Sequence, residues 1–129
     1  MMMRKTGAKP AKEHVSSTGI VLFIASDLLG RGDNQQLGSL LMHSFLHTLG
    51  GLTSRPETII FINSGVKLVT NDSPVLGELH QLENRGTEIL ACGTCLSRLQ
   101  LADKAAVGQV SNMYTIADTL LRADKIVSL

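Results

Sequence analysis

Gly19-Ile-Val-Leu-Phe-Ile-Ala25 is a short, wholly apolar run, bounded by glycine on one side and followed by Ser26-Asp27 on the other. An apolar run without polar alternation suits a strand covered on both faces, and such strands belong to parallel sheets. The pattern returns at Thr58-Ile-Ile-Phe-Ile-Asn63 and at Glu88-Ile-Leu-Ala-Cys92, and more weakly at Val107-Gly-Gln-Val110 and Lys125-Ile-Val-Ser-Leu129. Five strands are therefore expected.

Helical patterns fill the intervals. Leu37, Leu40, Leu41, Phe45 and Leu49 recur at helical spacing before Gly50-Gly51 stops the segment. Ser64 to Asp72 reads as a polar loop, after which Ser73-Pro74 opens a second helix with Val75, Leu76, Leu79 and Leu82 inward and Gly86 at its end. Thr94 to Leu99 is a short helix or turn. Ser111 can cap a last helix running through Arg122, with Met113, Ile116, Ala117, Leu120 and Leu121 facing the core. Strands and helices alternating on short connections specify an α/β three-layer sandwich of flavodoxin-like type. Its mostly parallel five-stranded sheet carries helices on both faces through right-handed crossovers.

Composition narrows the class. The chain has 129 residues, 43% hydrophobic and 18% charged, which is one domain with one core. Aromatic residues make up 3% and tryptophan is absent, so stacking platforms for bases are lacking and nucleic acid is not an expected partner. The net charge of +1 hides a split, because Arg4, Lys5, Lys9 and Lys12 against Glu13 give the first 18 residues +3. Residues 1–18 are expected to form a flexible basic arm ahead of a domain over 19–129. The longest apolar run, Ile20 to Ala25, falls far short of the roughly 18 residues a membrane span needs. Met1 to Lys12 offers positive charge without the apolar segment of a secretory signal. A cytoplasmic protein with no membrane partner is expected.

In open parallel sheets, ligands bind at the carboxyl ends of the strands. Four connections gather there: Ser26 to Asn34, Ser64 to Asp72, Cys92 to Cys95, and Ser111 to Met113. Cys92-Gly-Thr-Cys95 puts one thiol at a strand end and the other in the first turn of a helix, where free N–H groups favour thiolate. A thiolate there can attack a sulfane sulfur, hold it as a persulfide and hand it to another thiolate. Cys92 is expected at the water-accessible lip of the sheet. Asn63, Ser64 and Asn112 would line the approach, Lys67 would stabilise the thiolate as a nearby cation, and Arg31 is placed to hold an anionic substrate.

Competing chemistries fit less well. The cysteines as small buried hydrophobes remain an alternative, which would make the protein a non-catalytic binding or assembly module. One Cys-x-x-Cys supplies two of zinc's four ligands with nothing nearby to complete the set, so no metal is expected. The thioredoxin-type motif follows the first strand of its own fold, and here the pair follows the third. Gly30-Arg-Gly-Asp33 lacks the Ser/Thr pattern of a flavin phosphate loop, and Asp27 and Asp33 oppose anions, so no cofactor is expected. His43 and His47 share a helical face with Gln36 and Ser39, opposite the leucines, and read as solvated; His80 reads as a boundary residue.

Four segments, taken together, resemble the DsrE/DsrF-like sulfur-relay family, and within it the C-terminal domain of YedF-type selenium-metabolism sulfurtransferase-like proteins. They are Gly30-Arg-Gly-Asp-Asn-Gln-Gln-Leu-Gly38, Phe61-Ile-Asn-Ser-Gly-Val-Lys-Leu-Val-Thr70, Ala91-Cys-Gly-Thr-Cys-Leu96 and Val107-Gly-Gln-Val-Ser-Asn-Met113. The resemblance implies a protein that carries sulfur as a cysteine persulfide between sulfur-donor and sulfur-acceptor proteins. Cys92 falls at the family's sulfur-accepting position and Cys95 at a second cysteine of the YedF-like branch, with a resolving or relay role. YedF-type proteins resemble a fusion with a small sulfur-carrier-like domain ahead of this one. Here only an 18-residue basic arm precedes the first expected strand, so either that domain was lost or this chain was truncated; if that domain normally supplies the sulfur, the resemblance implies sulfur taken from a separate protein. It also implies a homo-oligomer.

Overall fold

The computed structural model describes residues 18–129. The basic arm expected over residues 1–18 falls, apart from Thr18, outside the described residues. In chain order the elements are β1 (Ile20–Ile24), α1 (Gln35–Leu49), β2 (Thr58–Phe61), a 3-10 helix (Asn63–Val69), α2 (Leu76–Asn84) and β3 (Glu88–Cys92). Then come α3 (Gly93–Arg98), β4 (Gln109–Ser111), α4 (Met113–Arg122) and β5 (Lys125–Ser128).

All five strands are parallel, in the order β4-β3-β2-β1-β5. In a flavodoxin sheet the second strand sits outside the first; here β5 fills that place, with Val21 between Thr58 and Ile126 in register. The chain steps in one direction from β1 to β4. Right-handed crossovers therefore put α1, α2 and α3 on one face and the returning α4 on the other. α1 packs against α2, α3 against the 3-10 helix, and α4 against β3.

The central strands carry the core because they lack polar alternation. Every residue of β2 is buried, and Ile24, Met42, Leu46, Ile59, Phe61, Leu79 and Ile89 close a single cluster around it.

Four local expectations change. The buried face of α1 is Gly38, Met42, Leu46 and Leu49, whereas Leu37, Leu40 and Leu41 are exposed. Gly38 sets this rotation: a Cβ there would lie 2.9 Å from the Leu28 side chain, so the glycine face alone can seat so closely. The segment expected as a polar loop after β2 is the 3-10 helix, and it buries Val66, Leu68 and Val69. In α4 only Ile116 is fully buried, while Met113, Ala117 and Leu121 lie outward, because among the described residues a single helix spans that face and it can bury only one stripe. Its cap is Asn112, since Ser111 is the last residue of β4.

Candidate functional site

The parallel sheet brings the carboxyl ends of β1 to β4 to one edge, and close backbone approaches tie them together. A Cβ on Gly65 would sit 2.5 Å from the carbonyl oxygen of Ile24, and one on Gly93 would sit 3.1 Å from that of Ser111. Only glycine allows the 3-10 helix to seat against the end of β1. The result is a continuous rim running from β1 through the 3-10 helix and α3 to β4.

Cys92 and Cys95 lie at the middle of that rim, and both are free thiols. Cys92 ends β3 and is the N-cap residue of α3, opposite Ser111 in the ladder. It is 2% exposed, contrary to the accessible position expected for it. The reason is that β3 is covered on both faces: Ile89, Leu90, Ala91 and Cys92 are all buried, and β3 lies between β2 and β4. Cys95, in the first turn of α3, is the half-buried thiol of the pair.

Asn63 has φ +51°, a left-handed conformation that asparagine tolerates better than most residues. Its backbone N–H there donates to the Cys95 Sγ at 3.1 Å. Burial pushes the Cys95 thiol up from its ordinary value, and the neighbouring Cys92 adds to this by hydrogen bond and by charge, while the Asn63 amide pulls the other way. The expected lowering is thus reversed for Cys95. Lys67, exposed on the 3-10 helix, is not among the groups acting on it.

The remaining predicted site residues scatter. Ser64 is half-buried at the start of the 3-10 helix. The Asn112 side chain is occupied in capping α4, accepting from the Thr115 N–H at 2.9 Å. Arg31 is exposed in the β1–α1 loop, which borders an open depression lined by Asp33, Asn34, Gln35 and Gln36. The contribution of Asn63 comes from its main chain. An Asn-Ser-Gly sequence directly after a strand was the only available sign that the backbone turns there.

A second polar cluster lies at the α1–α2 contact. His43 Nε2 is 3.1 Å and His47 Nδ1 3.5 Å from the same oxygen of Glu78. These histidines are not simply solvated, because the rotation of α1 turns them toward α2. Burial acts to raise the Glu78 carboxyl and is outweighed by hydrogen bonds from its own backbone and from both rings, which hold it below the usual value. Among the described residues, no group of three or more His, Cys, Asp or Glu side chains could hold a metal ion. No helix among them is long and apolar enough to cross a membrane.

The fold and rim define a parallel α/β domain with a vicinal thiol pair at the carboxyl edge of its third strand. Residues 42–129 match the DsrE/DsrF-like family, and the chain belongs to that family. No curated protein sequence matches it. Among solved structures, it is similar to the ychN protein from E. coli (16% identity, TM-score 0.58), covering 85% of this chain and 97% of that one. It is similar also to MTH1491 of Methanobacterium thermoautotrophicum, described as a protein of unknown function (21%, TM-score 0.62, 85% and 97%). A third is BT1422 of Bacteroides thetaiotaomicron, a conserved protein of unknown function (22%, TM-score 0.53, 84% and 94%). At these identities the likeness is one of fold.

Proposed function

We propose that this protein is a sulfurtransferase-like sulfur-relay protein that accepts sulfur on its vicinal thiol pair as a persulfide and passes it to another protein's thiol. The observation that carries the reading is the half-buried Cys95 Sγ, held on the rim by the Asn63 N–H. The carrier role expected for Cys92 passes to Cys95, because a donor must reach the sulfur it loads and Cys92 is closed off. In loading, the Cys95 thiolate bonds to the terminal sulfur of a donor persulfide and the donor leaves as a thiolate. In delivery, an acceptor thiolate attacks that same terminal sulfur and Cys95 leaves. The Asn63 amide stabilises the leaving thiolate in the second step.

The four-segment likeness to YedF-type proteins supports extending the reading to selenium, which undergoes the same exchange. A reducing cytoplasm would keep both thiols free. The donor is a separate protein, for which a small sulfur carrier is the natural class. Copies of this chain are the proposed partners of the outer face of α4, where Met113, Tyr114 and Leu121 are exposed.

The test uses a low-molecular-weight alkyl persulfide and intact mass. Cys92→Ala protein should gain one sulfur and lose it to added thiol, and Cys95→Ser protein should gain none; absence of the adduct from the first variant rejects the reading. A second reading, a binding module with structural cysteines, is favoured by the burial of Cys92 and the raised Cys95 thiol. It expects no adduct on either variant.

A further inference from the structure

We propose that Cys92 is a discharging thiol: when no acceptor claims the persulfide on Cys95, Cys92 attacks it, releases hydrogen sulfide and leaves a Cys92–Cys95 disulfide. The inference rests on the relay reading above and adds an activity to it.

Position makes the attack local. Cys92 is the N-cap and Cys95 the third residue of α3, and Cys95 packs against the core cluster to which Cys92 belongs. The separation of the two Cα atoms is set by the backbone of the two residues between them, and with Gly93 and Thr94 helical it is about 5 Å, within disulfide range. Cys92 is also among the groups that raise the Cys95 thiol. Burial, which shuts Cys92 off from donors and acceptors, does not shut it off from Cys95. The pair is thus divided into a thiol that meets other proteins and a thiol that meets only its neighbour.

The step balances without an added oxidant. The Cys92 Sγ forms a bond to the Cys95 Sγ as the bond from Cys95 to the terminal sulfur breaks. The bonding electron pair leaves on the terminal sulfur, which takes the Cys92 proton and departs as hydrogen sulfide. That sulfur is reduced by two electrons, and the two cysteine sulfurs are oxidised to a disulfide. The oxidising equivalents therefore arrive with the sulfane sulfur. A dithiol reductant restores the thiols by exchange through a mixed disulfide.

Three fates follow for an alkyl persulfide given to the full-length protein without acceptor. On wild type, the sulfur adduct should be transient, with about one sulfide released per protein and a Cys92–Cys95 disulfide found by peptide mapping under non-reducing conditions. Cys92→Ala should keep its added sulfur and release at least tenfold less sulfide; Cys92→Ser is the alternative should alanine disturb folding, which circular dichroism checks. A wild type that holds its adduct as long as the Cys92 variants, with no disulfide, overturns the discharge while leaving the relay intact. A Cys92 variant that takes up the alkyl thiol in place of a single sulfur overturns both.

Discussion

A thiol that has lost water without gaining a cation is a poor anion, and that is the state of Cys95. Its raised value means the neutral form prevails at pH values where an ordinary thiol, near 8.5, is half ionised. Its alkylation rate should therefore reach half-maximum above about pH 8.5, with Cys92 labelled only on unfolding. Mass-resolved labelling against pH checks this, and a midpoint below the ordinary value would show that some cation acts on the site. At this scale the sequence was readable in part. The spacing of Cys92 and Cys95 and their place at a strand end were legible, because local pattern determines both. Which thiol is exposed was not: that depends on how far the cover on both faces of β3 extends past its end, which is set by residues distant in sequence. Asn63 was singled out for its side chain, yet it acts through an amide whose direction follows from φ.

Among the elements, α1 gives the clearest lesson, since its sequence offers two apolar faces and the glycine face goes inward. No periodicity decides between them; the close seat of Gly38 on Leu28 does. The same rotation brings His43 and His47 to Glu78, a contact between helices that single-helix spacing cannot reveal. Because the Glu78 carboxyl is lowered in the folded state, it contributes stability that is present above its unfolded value, about 4.3, and is lost as pH falls through the lower folded value. Glu78→Gln should cost under about 1 kcal/mol at neutral pH, the range for partly exposed pairs, and the difference from wild type should vanish in acid. Denaturation midpoints between pH 3 and 7 measure it.

At the level of the whole molecule, the α-helices of the described residues divide unequally: three lie on one face of the sheet and one on the other. Strand alternation and short connections made the class legible, and the family match agrees with it. The strand order depended on where β5 docks, which its own four residues do not encode. The lone helix leaves apolar surface outside, and two substitutions in α4 separate the two sides. Ile116→Ala should destabilise the subunit by about 2–5 kcal/mol. Leu121, 87% exposed, should as lysine change subunit stability by no more than about 0.5 kcal/mol. It should also lower the sedimentation coefficient if copies meet there; equal coefficients for wild type and Leu121→Lys would count against that assembly.

The docking of β5 beside β1 also sets a timetable for biosynthesis. β1 must wait for β5, the last of the five described strands, to arrive, so during elongation it keeps one edge unpaired. Slow non-local pairing of this kind prolongs the aggregation-prone interval. A nascent chain stalled before Lys125 should therefore be a chaperone client, and the released full-length chain should not.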